Sequence, residues 1–506
     1  MVKQRKLKVI FRCDSSVEMG GGHLMRCLAF AELFRKKKAD IVFVCKSLPG
    51  NLNYLVGEKK YFLKEMPANL SFNKTVDFYN SLLGDSVDPI FVFDSYGIAA
   101  REEAIIIENC FTIVIDDLHD REHICNLLIN NNLLGDTNAY ARLLPSFCTT
   151  LLGPKYSLLR REFVTPNAST RNNTVIVFFG NGDSSGQTLR FVEAVKKLKP
   201  NLRFQVIVGS QNKDLLKIKS VSLPPNLKIL VNPANLAALF KKGKLYLGSG
   251  GTVTWERMRT GLPGVVMSVA KNQVPSSQLL HDLGYQIYLG PAESIRYENV
   301  FELCAGLIRN QKALSNFSNK GKKLVAPLDV KEVLKLRMNL RLRKARLSDA
   351  KFLFDLRREP AVALNSVSKQ NFSFSHHKKW LRSKLSQPDV SLFTVLYKNN
   401  AVGQVRIDSD LTVSIALSQK HRGRGLGAPA LILALMIDSK RRRSQKTSSY
   451  TALISRENIQ SIRMFEKAGF KISRELLGSV PDGFAKFNKN KFGIFSENDI
   501  GEKHDN

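Results

Sequence analysis

The first part of the chain alternates short apolar runs with stretches in which apolar residues recur at helical spacing. The runs that predict buried parallel strands are Val9–Cys13, Ile41–Cys45, Ile90–Phe93 and Thr112–Ile115. Between the first two runs, apolar positions from Leu24 to Phe34 fall at helical spacing. Strands that alternate with helices predict a doubly wound α/β layer.

The same alternation restarts after Pro166–Asn173, a polar stretch that we interpret as a hinge. The pattern predicts a helix at Leu236–Lys241 and strands at Val175–Phe179, Phe204–Val208, Lys228–Val231, Leu245–Leu247 and Val265–Val269. This is a second Rossmann-like unit. Two such units facing each other form a cleft, and ligands of open α/β sheets bind outside the carboxyl ends of the strands.

A different pattern begins near Arg341, after the basic, glycine-containing stretch Asn319–Ala326. It predicts a helix at Ala350–Arg358 and strands at Phe393–Tyr397, Val402–Asp408 and Thr412–Leu417. The predicted organisation is two Rossmann-like domains at 1–165 and 166–325, a linker at 326–340, a third domain at 341–482 and a polar tail without assigned fold at 483–506.

The composition is that of an ordinary globular protein with an unusual charge. Of the 506 residues, 43% are hydrophobic and 24% charged, which excludes disordered, collagen-like and coiled-coil chains. Lys and Arg number 77 against 44 Asp and Glu, a formal net charge of +33. Such an excess favours nucleic acid, an acidic membrane surface or phosphorylated small molecules as partners, without choosing among them.

Neither a membrane span nor a secreted, disulfide-linked protein is expected. The longest apolar run, Ala428–Ile437, is shorter than the roughly 18–20 residues that a membrane helix needs. The basic N-terminus lacks the apolar segment of a signal peptide. The seven cysteines are odd in number and form no CxxC pair, so reduced thiols in a cytoplasm are expected.

Glycine-rich loops follow several predicted strands. The first, Gly20-Gly21-Gly22, opens a helix, where free N–H groups and the helix dipole favour an anion. His23 stands at its mouth and is a candidate general base, since an unperturbed histidine has a pKa near 6.5. A helix-start residue or a phosphate ligand is the alternative interpretation of His23.

Two further loops repeat this pattern in the second unit. Gly250, Gly251 and Thr252 follow a strand and could cradle a pyrophosphate, while Glu256, one turn into the helix, could bind a ribose. Gly180-Asn181-Gly182-Asp183 is the third loop. One glycine loop alone is weak evidence, because turns need glycine for backbone reasons. Three such loops at strand ends facing one cleft are better evidence that the cleft binds a phosphate-containing ligand.

Acidic and histidine residues crowd together after the fourth strand. The histidines His119 and His123, spaced i,i+4, could bind a metal on a helix, but no third ligand recommends a particular ion. We therefore favour a polar loop with capping aspartates. The members of the cluster are Asp116, Asp117, His119, Asp120 and His123.

At this point the motifs of residues 7–325 resemble the UDP-sugar hydrolases of pseudaminic acid biosynthesis and the related spore-coat proteins. Six separated motifs match in order, and the family in turn resembles GT-B glycosyltransferases that hold UDP mainly in the second domain. The motifs are Phe11–Asp14 with Gly20–Arg26, Asp94–Tyr96, Ile115–Leu118, Leu152–Arg160, Gly250–Glu256 and Lys271–Gln273.

The resemblance implies hydrolysis of UDP-2,4-diacetamido-2,4,6-trideoxy-β-L-altropyranose by attack of water at the anomeric carbon. It implies His23 as the base, with Tyr96 and Asn272 positioning water and sugar, and no metal. The residues it assigns to the UDP-sugar are Gly20, Gly22, Arg26, Gly250, Gly251, Thr252, Glu256 and Gln273. The Gly180–Asp183 loop departs from the family pattern, which leaves its role in doubt.

Near the C-terminus, the turn Arg422–Gly427 lies between a strand and the predicted helix Pro429–Lys440. Successive N–H groups at a helix start can hold a pyrophosphate, and a generic glycine turn is the alternative. With the segment Asn458–Phe470, the turn resembles the two signature motifs of GNAT acetyltransferases over roughly 341–475. The predicted fold class is therefore α/β, a GT-B-like pair of Rossmann-like domains followed by an α+β GNAT domain.

This second resemblance implies acetyl-CoA as co-substrate and an amine as acceptor. It assigns acetyl-CoA binding to Arg422, Gly423, Arg424, Gly425, Gly427, Asn458 and Ser461. Phe465 stands where the family usually has a tyrosine acid, and the strand Thr412–Leu417 offers no glutamate as base. His376, His377 and Trp380 could line the acceptor site or be surface residues.

Together, the two halves predict a bifunctional cytoplasmic enzyme that binds a UDP-sugar and acetyl-CoA and catalyses two consecutive steps on one amino sugar. The first alternative is a GT-B-like glycosyltransferase joined to an amino-sugar acetyltransferase. The second is a basic nucleic-acid-binding protein, which we disfavour because the basic clusters are scattered and no nucleic-acid motif occurs.

Overall fold

The computed structural model divides into two compact units, the first made of 1–103 and 110–333 and the second of 104–109 and 334–506. It describes residues 6–84, 89–98, 100–107, 110–136, 138–145, 147–165, 170–337, 340–366, 372–398, 400–442, 449–473, 481 and 484–490. No helix in these ranges is long and apolar enough to cross a membrane.

The first unit begins with a seven-stranded parallel sheet of order β3-β2-β1-β4-β5-β6-β7. Its strands are β1 (Lys8–Cys13), β2 (Asp40–Lys46), β3 (Phe62–Met66), β4 (Ile90–Asp94), β5 (Phe111–Ile115), β6 (Leu127–Asn130) and β7 (Thr149–Leu152). The accompanying helices are α1 (Gly22–Arg35), α2 (Tyr54–Glu58), α3 (Phe72–Leu83), α4 (Ala100–Ile106) and α5 (Arg161–Val164).

A second parallel sheet, of order β10-β9-β8-β11-β12-β13, completes this unit. Its strands are β8 (Thr174–Phe178), β9 (Arg203–Val208), β10 (Leu227–Val231), β11 (Leu245–Ser249), β12 (Gly264–Ser268) and β13 (Ile287–Pro291). Its helices are α6 (Gln187–Leu198), α7 (Leu215–Ser220), α8 (Leu236–Lys242), α9 (Val253–Arg259), α10 (Val274–Asp282), α11 (Tyr297–Arg309) and α12 (Gln311–Leu324).

The predicted pair of Rossmann-like sheets is confirmed. In each sheet the order in which strands are added reverses between two central strands. These strands are β1 and β4 in the first sheet and β8 and β11 in the second. Such switch points are where open α/β sheets bind ligands. The apolar runs of the central strands were read correctly because both faces are buried. The edge strand β3 was not predicted, because its sequence FLKEM is largely exposed and forms no continuous apolar run.

The chain returns to the first sheet domain after α12. Ser157 N donates to Ala326 O at 3.1 Å, and Leu328 N donates to Ser157 O at 3.0 Å. Val325, Leu328 and Val333 are buried, and Val330–Arg337 forms helix α13. Much of the segment expected as a linker at 326–340 is thus packed structure, because its apolar residues cover the first unit.

The second unit holds two antiparallel sheets of order β14-β15-β16-β17 and β18-β20-β19. Their strands are β14 (Arg341–Lys344), β15 (Ser391–Tyr397), β16 (Asn400–Ile407), β17 (Val413–Leu417), β18 (Ser449–Ser455), β19 (Lys471–Ile472) and β20 (Phe484–Asn490). The helices are α14 (Ala350–Arg358), α15 (Pro360–Leu364), α16 (Phe374–Ser386), α17 (Gly427–Arg441) and α18 (Ile459–Lys467).

The tail carries a strand where the sequence assigned no fold. Strand β20 pairs along its length with β18, and its Ala485 and Phe487 are buried. The polar residues between them hid this alternation, because a half-buried strand shows an apolar residue only at every second position. Residues 491–506 of the predicted tail and 166–169 of the predicted hinge lie outside the described residues.

Candidate active sites

A buried histidine–aspartate pair lies at the carboxyl ends of β1 and β4. His23 opens α1, and Asp94 ends β4, which is the neighbour of β1. His23 Nδ1 and Asp94 Oδ1 are 2.6 Å apart, and the two residues are 4% and 0% exposed. A carboxylate can only accept, so Nδ1 is the donor in this hydrogen bond, and Nε2 is the ring nitrogen left to exchange a proton with a substrate.

Arg26 joins this pair to a second carboxylate. Its Nε and one terminal nitrogen each donate to Asp94 at 2.6 Å, and the other terminal nitrogen donates to Asp117 Oδ2 at 2.9 Å. Cys27 Sγ also donates to Asp94, at 3.4 Å. Arg26, which was predicted to contact the UDP-sugar, therefore has its guanidinium occupied by two aspartates.

The charges around Asp94 keep it ionised. Burial alone would raise the pKa of the Asp94 carboxyl, but Arg26 and His23 outweigh burial and lower it to about 2. A permanently charged partner orients the His23 ring and stabilises the imidazolium that forms when Nε2 takes a proton. The arrangement is thus equipped for general-base chemistry.

Tyr96 and Asn272 come from the two sheet domains and meet. Asn272 Nδ2 donates to Tyr96 Oη at 3.0 Å, and Tyr96 Oη donates to Asp117 Oδ2 at 3.4 Å. The Tyr96 ring packs edge-on against His23, with ring centroids 4.4 Å apart. Burial, then the charge of Asp117, raises the Tyr96 pKa above its usual range, so the phenol stays protonated. The three predicted catalytic side chains therefore form one cluster.

The first and second glycine loops lie close to each other. A Cβ on Gly22 would lie 3.3 Å from Thr252 Oγ1, across the two domains. Gly20 has a φ of +72°, which favours glycine, and a Cβ on Gly250 would lie 2.4 Å from Ser277 Oγ. The predicted phosphate loops of the two domains therefore converge within reach of His23.

Glu256 and Gln273 make internal contacts in this structure. Arg160 holds both carboxylate oxygens of Glu256, at 2.6 and 2.7 Å. Gln273 Oε1 accepts from Val269 N at 3.1 Å, which leaves its amide NH2 beside Gly251. A ribose bound by Glu256 would share that carboxylate with Arg160, for which we predicted no role from the sequence.

The third glycine loop has a structural explanation. Asp183 accepts from the N–H groups of Gln187 and Thr188, at 3.0 and 2.6 Å, which start helix α6. Asn212 also donates to Asp183, at 3.5 Å. These N–H groups are therefore already bonded to a carboxylate. The loop caps the start of α6 with its own aspartate and leaves these donors unavailable to a ligand.

The acidic and histidine cluster after β5 is an ion-pair network. His123 lies between Glu103 Oε1 at 2.7 Å and Asp116 Oδ1 at 3.7 Å. Burial lowers its pKa, but the two carboxylates outweigh this and raise it to about 9. Asp116 also accepts from Tyr140 Oη at 2.7 Å. Within the described ranges, no three metal-ligand side chains are grouped to hold an ion.

In the second unit, the turn Arg422–Gly427 presents free backbone donors. Gly423 and Gly425 have φ of +72° and +74°, and both are exposed. In the part of the chain that the structure describes, no N–H from Gly423 to Leu426 donates to a backbone carbonyl. Helix α17 follows without a side-chain cap. This loop can therefore donate several hydrogen bonds to a diphosphate.

The two antiparallel sheets meet at one bridge, which lies at the start of β17, before the strand leads to this loop. Thr412 pairs with Thr451, and Thr451 N donates to Leu411 O at 3.1 Å. Beyond that bridge, the described parts of β17 and β18 form no ladder with each other. Unpaired strand edges can hydrogen-bond the amides of an extended ligand.

The other predicted acetyl-CoA residues have structural partners. Asn458 Oδ1 accepts from Ser461 N at 3.1 Å and so caps helix α18. A Cβ on Gly427 would lie 2.3 Å from Met464 Sδ, so this glycine lets α17 approach α18 closely. Phe465 is buried against Phe470, with ring centroids 5.0 Å apart, and offers no proton.

Arg422 is held by Glu359, for which we predicted no role from the sequence. Arg422 Nε donates to Leu417 O at 2.8 Å, and a terminal nitrogen donates to the Glu359 carboxylate. Gln419 N donates to the same carboxylate at 2.9 Å. Glu359 therefore fixes the entrance to the glycine turn. Glu359 lies 63 residues before Arg422, so no local sequence pattern signals this contact.

The residues proposed for the acceptor site divide into two environments. His377 is buried and stacks between Phe372 and Trp380, with ring centroids 5.8 and 5.2 Å away. Burial, then Arg357, lowers its pKa. His376 is exposed.

Comparisons with known proteins agree with this division of the chain. Residues 339–471 match the family model of the acetyltransferase (GNAT) domain. UDP-2,4-diacetamido-2,4,6-trideoxy-beta-L-altropyranose hydrolase of Campylobacter jejuni is 27% identical over 285 residues, 56% of this chain and 98% of the relative. An uncharacterized protein of Methanocaldococcus jannaschii is 23% identical over 504 residues, covering 93% of this chain and 98% of its own.

Among solved structures, MurG of Acinetobacter baumannii aligns with 65% of this chain and 99% of its own, at a TM-score of 0.47 and 12% identity. The sequence relatives show that the chain joins a homologue of a UDP-sugar hydrolase to a GNAT acetyltransferase domain. The protein is therefore an enzyme that contains both the hydrolase-like region and the acetyltransferase domain.

Proposed function

We propose that the chain is a bifunctional enzyme of pseudaminic-acid-type sugar biosynthesis. Its first unit hydrolyses UDP-2,4-diacetamido-2,4,6-trideoxy-β-L-altropyranose, the substrate in the name of the Campylobacter relative. Its second unit acetylates the amine of a UDP-4-amino sugar with acetyl-CoA. The observation that carries the hydrolase assignment is the buried His23–Asp94 pair beside Tyr96 and Asn272.

In the hydrolysis, water is the nucleophile and UDP is the leaving group. His23 Nε2 takes a proton from water as the water oxygen attacks the anomeric carbon, and the bond from that carbon to the phosphate oxygen breaks. Asp94 holds the ring and stabilises its positive charge. Tyr96 and Asn272 position the water and the sugar.

The departing diphosphate needs donors for its developing charge. The loops Gly20–Gly22 and Gly250–Thr252 converge beside His23. The Gly20 N–H donates to Ser16 O at 2.9 Å, so we assign the donor role to the other backbone N–H groups of the two loops. Gln273 keeps an amide NH2 beside Gly251 and is a further donor to the nucleotide. Glu256, whose carboxylate Arg160 fixes, accepts from a ribose hydroxyl.

In the acetyl transfer, the amine of the sugar attacks the thioester carbonyl and the CoA thiolate leaves. The turn Arg422–Gly427 holds the diphosphate of acetyl-CoA, and the open edges of β17 and β18 hold the amides of its arm. Phe465 leaves no tyrosine to protonate the thiolate, so that proton comes from water or from the attacking amine. His377 and Trp380 line the acceptor side.

The two activities follow one another chemically. Acetylation of the 4-amino UDP-sugar makes the diacetamido substrate that the first unit hydrolyses. Because one chain carries both sites, the acetylated intermediate is released at a raised local concentration near the hydrolase site, which acts second. Both substrates and the reduced cysteines suit a cytoplasmic enzyme.

The deciding experiment uses the intact chain with the diacetamido UDP-sugar. Release of UDP and free sugar with water as the sole acceptor is expected. Release that needs an added sugar or alcohol acceptor would instead make the first unit a glycosyltransferase. Mass spectrometry of the products from the 4-amino UDP-sugar and acetyl-CoA tests both steps in one reaction.

Replacing the base separates the two activities. His23→Ala is expected to abolish UDP release and to leave acetyl transfer at the wild-type rate. Unchanged hydrolysis in this variant would reject His23 as the base. Circular dichroism confirms that the variant is folded.

A further inference from the structure

The side chain of Tyr96 is presented by a four-residue turn, Ser95–Ile98. Ile98 N donates to Ser95 O at 3.3 Å, which closes the turn. Among the described residues, the Tyr96 hydroxyl makes a long contact to Asp117 and accepts from the amide of Asn272 in the other domain. The placement of Tyr96 therefore depends on the turn itself.

Arg121 spans this turn from outside. Its Nε donates to Ile98 O at 3.1 Å, and a terminal nitrogen donates to Ser95 O at 3.4 Å. One guanidinium thus contacts the carbonyls at both ends of the turn that carries Tyr96. A planar group with several fixed donors suits this task better than the single ammonium of lysine.

Arg121 is itself anchored. Its other terminal nitrogen donates to Asp120 Oδ1 at 3.0 Å and forms an ion pair with Asp116 Oδ1 at 3.2 Å. Asp116 Oδ2 accepts from Tyr140 Oη and from His119 N. Asp116 is almost fully buried and directly precedes Asp117, which binds Arg26 and Tyr96. The anchor and the site therefore belong to one polar network.

We propose that Arg121 is a positioning residue of the hydrolase site, which acts by fixing the Ser95–Ile98 turn and thereby Tyr96. The proposal rests on the hydrolase function proposed above. A misplaced positioning group slows catalysis, with losses of about 100-fold for displacements of roughly 1 Å. Arg121 also lies outside every motif that carried the sequence resemblance.

The test compares three variants of the full chain. Arg121→Gln is expected to lower kcat of UDP release by about 10–100-fold with a smaller change in KM. Arg121→Lys is expected to recover part of this loss. The matched control is Arg171→Gln, which removes an arginine bound to the carbonyls of Phe240, Gly243 and Thr260, away from Tyr96.

A double-mutant cycle tests whether Arg121 acts through Tyr96. In a Tyr96→Phe background, Arg121→Gln is expected to add less than about 3-fold to the loss, because the group it positions is already removed. Hydrogen exchange at the Ile98 amide is expected to speed up in Arg121→Gln and to stay unchanged in Arg171→Gln. This second readout does not depend on turnover.

The outcomes separate the two proposals. Full activity in Arg121→Gln, an equal loss in both backgrounds, or an unchanged Ile98 exchange rate would overturn the positioning role while hydrolysis stands. Absence of UDP release from the wild-type chain would overturn the hydrolase function, and the positioning role of Arg121 with it.

Discussion

Asp94 concentrates more of the site chemistry than any other side chain in the first unit. One buried carboxylate accepts from His23, Arg26 and Cys27, and it stays charged because the arginine offsets the cost of burial. The sequence motif contained Asp94, but nothing in a linear pattern shows that a residue 71 positions after His23 contacts its ring.

Asp94→Asn tests this arrangement. The amide keeps the shape but removes the charge that orients His23 and pairs with Arg26. UDP release is expected to fall on the order of 1,000-fold, as expected when a histidine base loses its carboxylate partner. Steady-state kinetics of UDP release is the measurement, and acetyl transfer serves as the control. A loss below about 10-fold would contradict the dyad.

His123 predicts a pH dependence of stability. Its folded pKa of about 9 exceeds the unfolded value near 6.5, so its contribution is fully present below pH 6.5 and is lost as pH rises through 9. The wild type is therefore expected to exceed His123→Gln by up to about 3 kcal/mol in unfolding free energy near pH 6, and by less at pH 9.

Urea unfolding at several pH values measures this difference. His376→Gln, at an exposed helix position, controls for the removal of a histidine. A wild-type advantage that grows between pH 6 and pH 9 would contradict the assigned direction of the pKa shift.

At the scale of elements, the sequence predicted most strands of the two parallel sheets and the three glycine turns near the sites. The central strands of both parallel sheets were found because continuous apolar runs mark strands that are buried on both faces. The edge strand β3 and the tail strand β20 were missed, since partly exposed strands mix polar and apolar residues. The strands β6, β7 and β13 were missed as well. Strand β6 is buried throughout, but it is only four residues long.

The candidate site was predictable only as far as its motifs. His23, Tyr96 and Asn272 were named from the resemblance, and the structure brings them together. Arg160 and Glu359 could not be assigned a role, because their partners Glu256 and Arg422 lie 96 and 63 residues away. Ion pairs across such separations leave no periodic trace in a sequence.

The third glycine loop gives a prediction at the element scale. Because the Asp183 carboxylate satisfies the first N–H groups of α6, Asp183→Ala is expected to cost about 1–2 kcal/mol of unfolding free energy. The KM for the UDP-sugar is expected to stay within about 2-fold of wild type. Thermal unfolding and kinetics measure the two effects. A large rise in KM without loss of stability would instead indicate that this loop binds the UDP-sugar.

The turn before α17 gives the opposite expectation. Gly425 is exposed with a positive φ, so Gly425→Trp is expected both to strain the turn and to fill the space of the diphosphate. Acetyl-CoA binding, measured by calorimetry, is expected to weaken at least about 100-fold while UDP release is kept. Gly290→Trp, at another open left-handed glycine, is the control. If Gly425→Trp bound acetyl-CoA as tightly as the wild type, this turn would be excluded as the binding site of the diphosphate.

At the scale of the whole molecule, the charge of +33 is larger than two anionic substrates require. Only a few cations lie in the sites described, and Arg26, Arg160 and Arg422 are paired with carboxylates. The remaining excess acts over a distance, by attracting anions to the surface as a whole.

This long-range attraction predicts a salt effect on binding rather than on chemistry. Raising the salt concentration from about 0.05 to 0.5 M is expected to lower kcat/KM for both substrates several-fold, because screening shortens the reach of the charge. The kcat values are expected to change little. Stopped-flow binding at matched concentrations of a neutral osmolyte separates screening from crowding. Salt-independent kcat/KM would leave the excess charge without a role in substrate capture.

The return of residues 325–333 to the first unit also has a consequence for how such a gene can be built or divided. Val325 belongs to the core of the first unit, Leu328 and Val333 are buried, and α13 runs to Arg337. The two compact units divide between Val333 and Leu334, so the division falls within α13. A fission at the end of α12 would strip apolar cover from the hydrolase module, and one at the division of the units would cut α13. A gene division that keeps α13 whole therefore has to fall after Arg337.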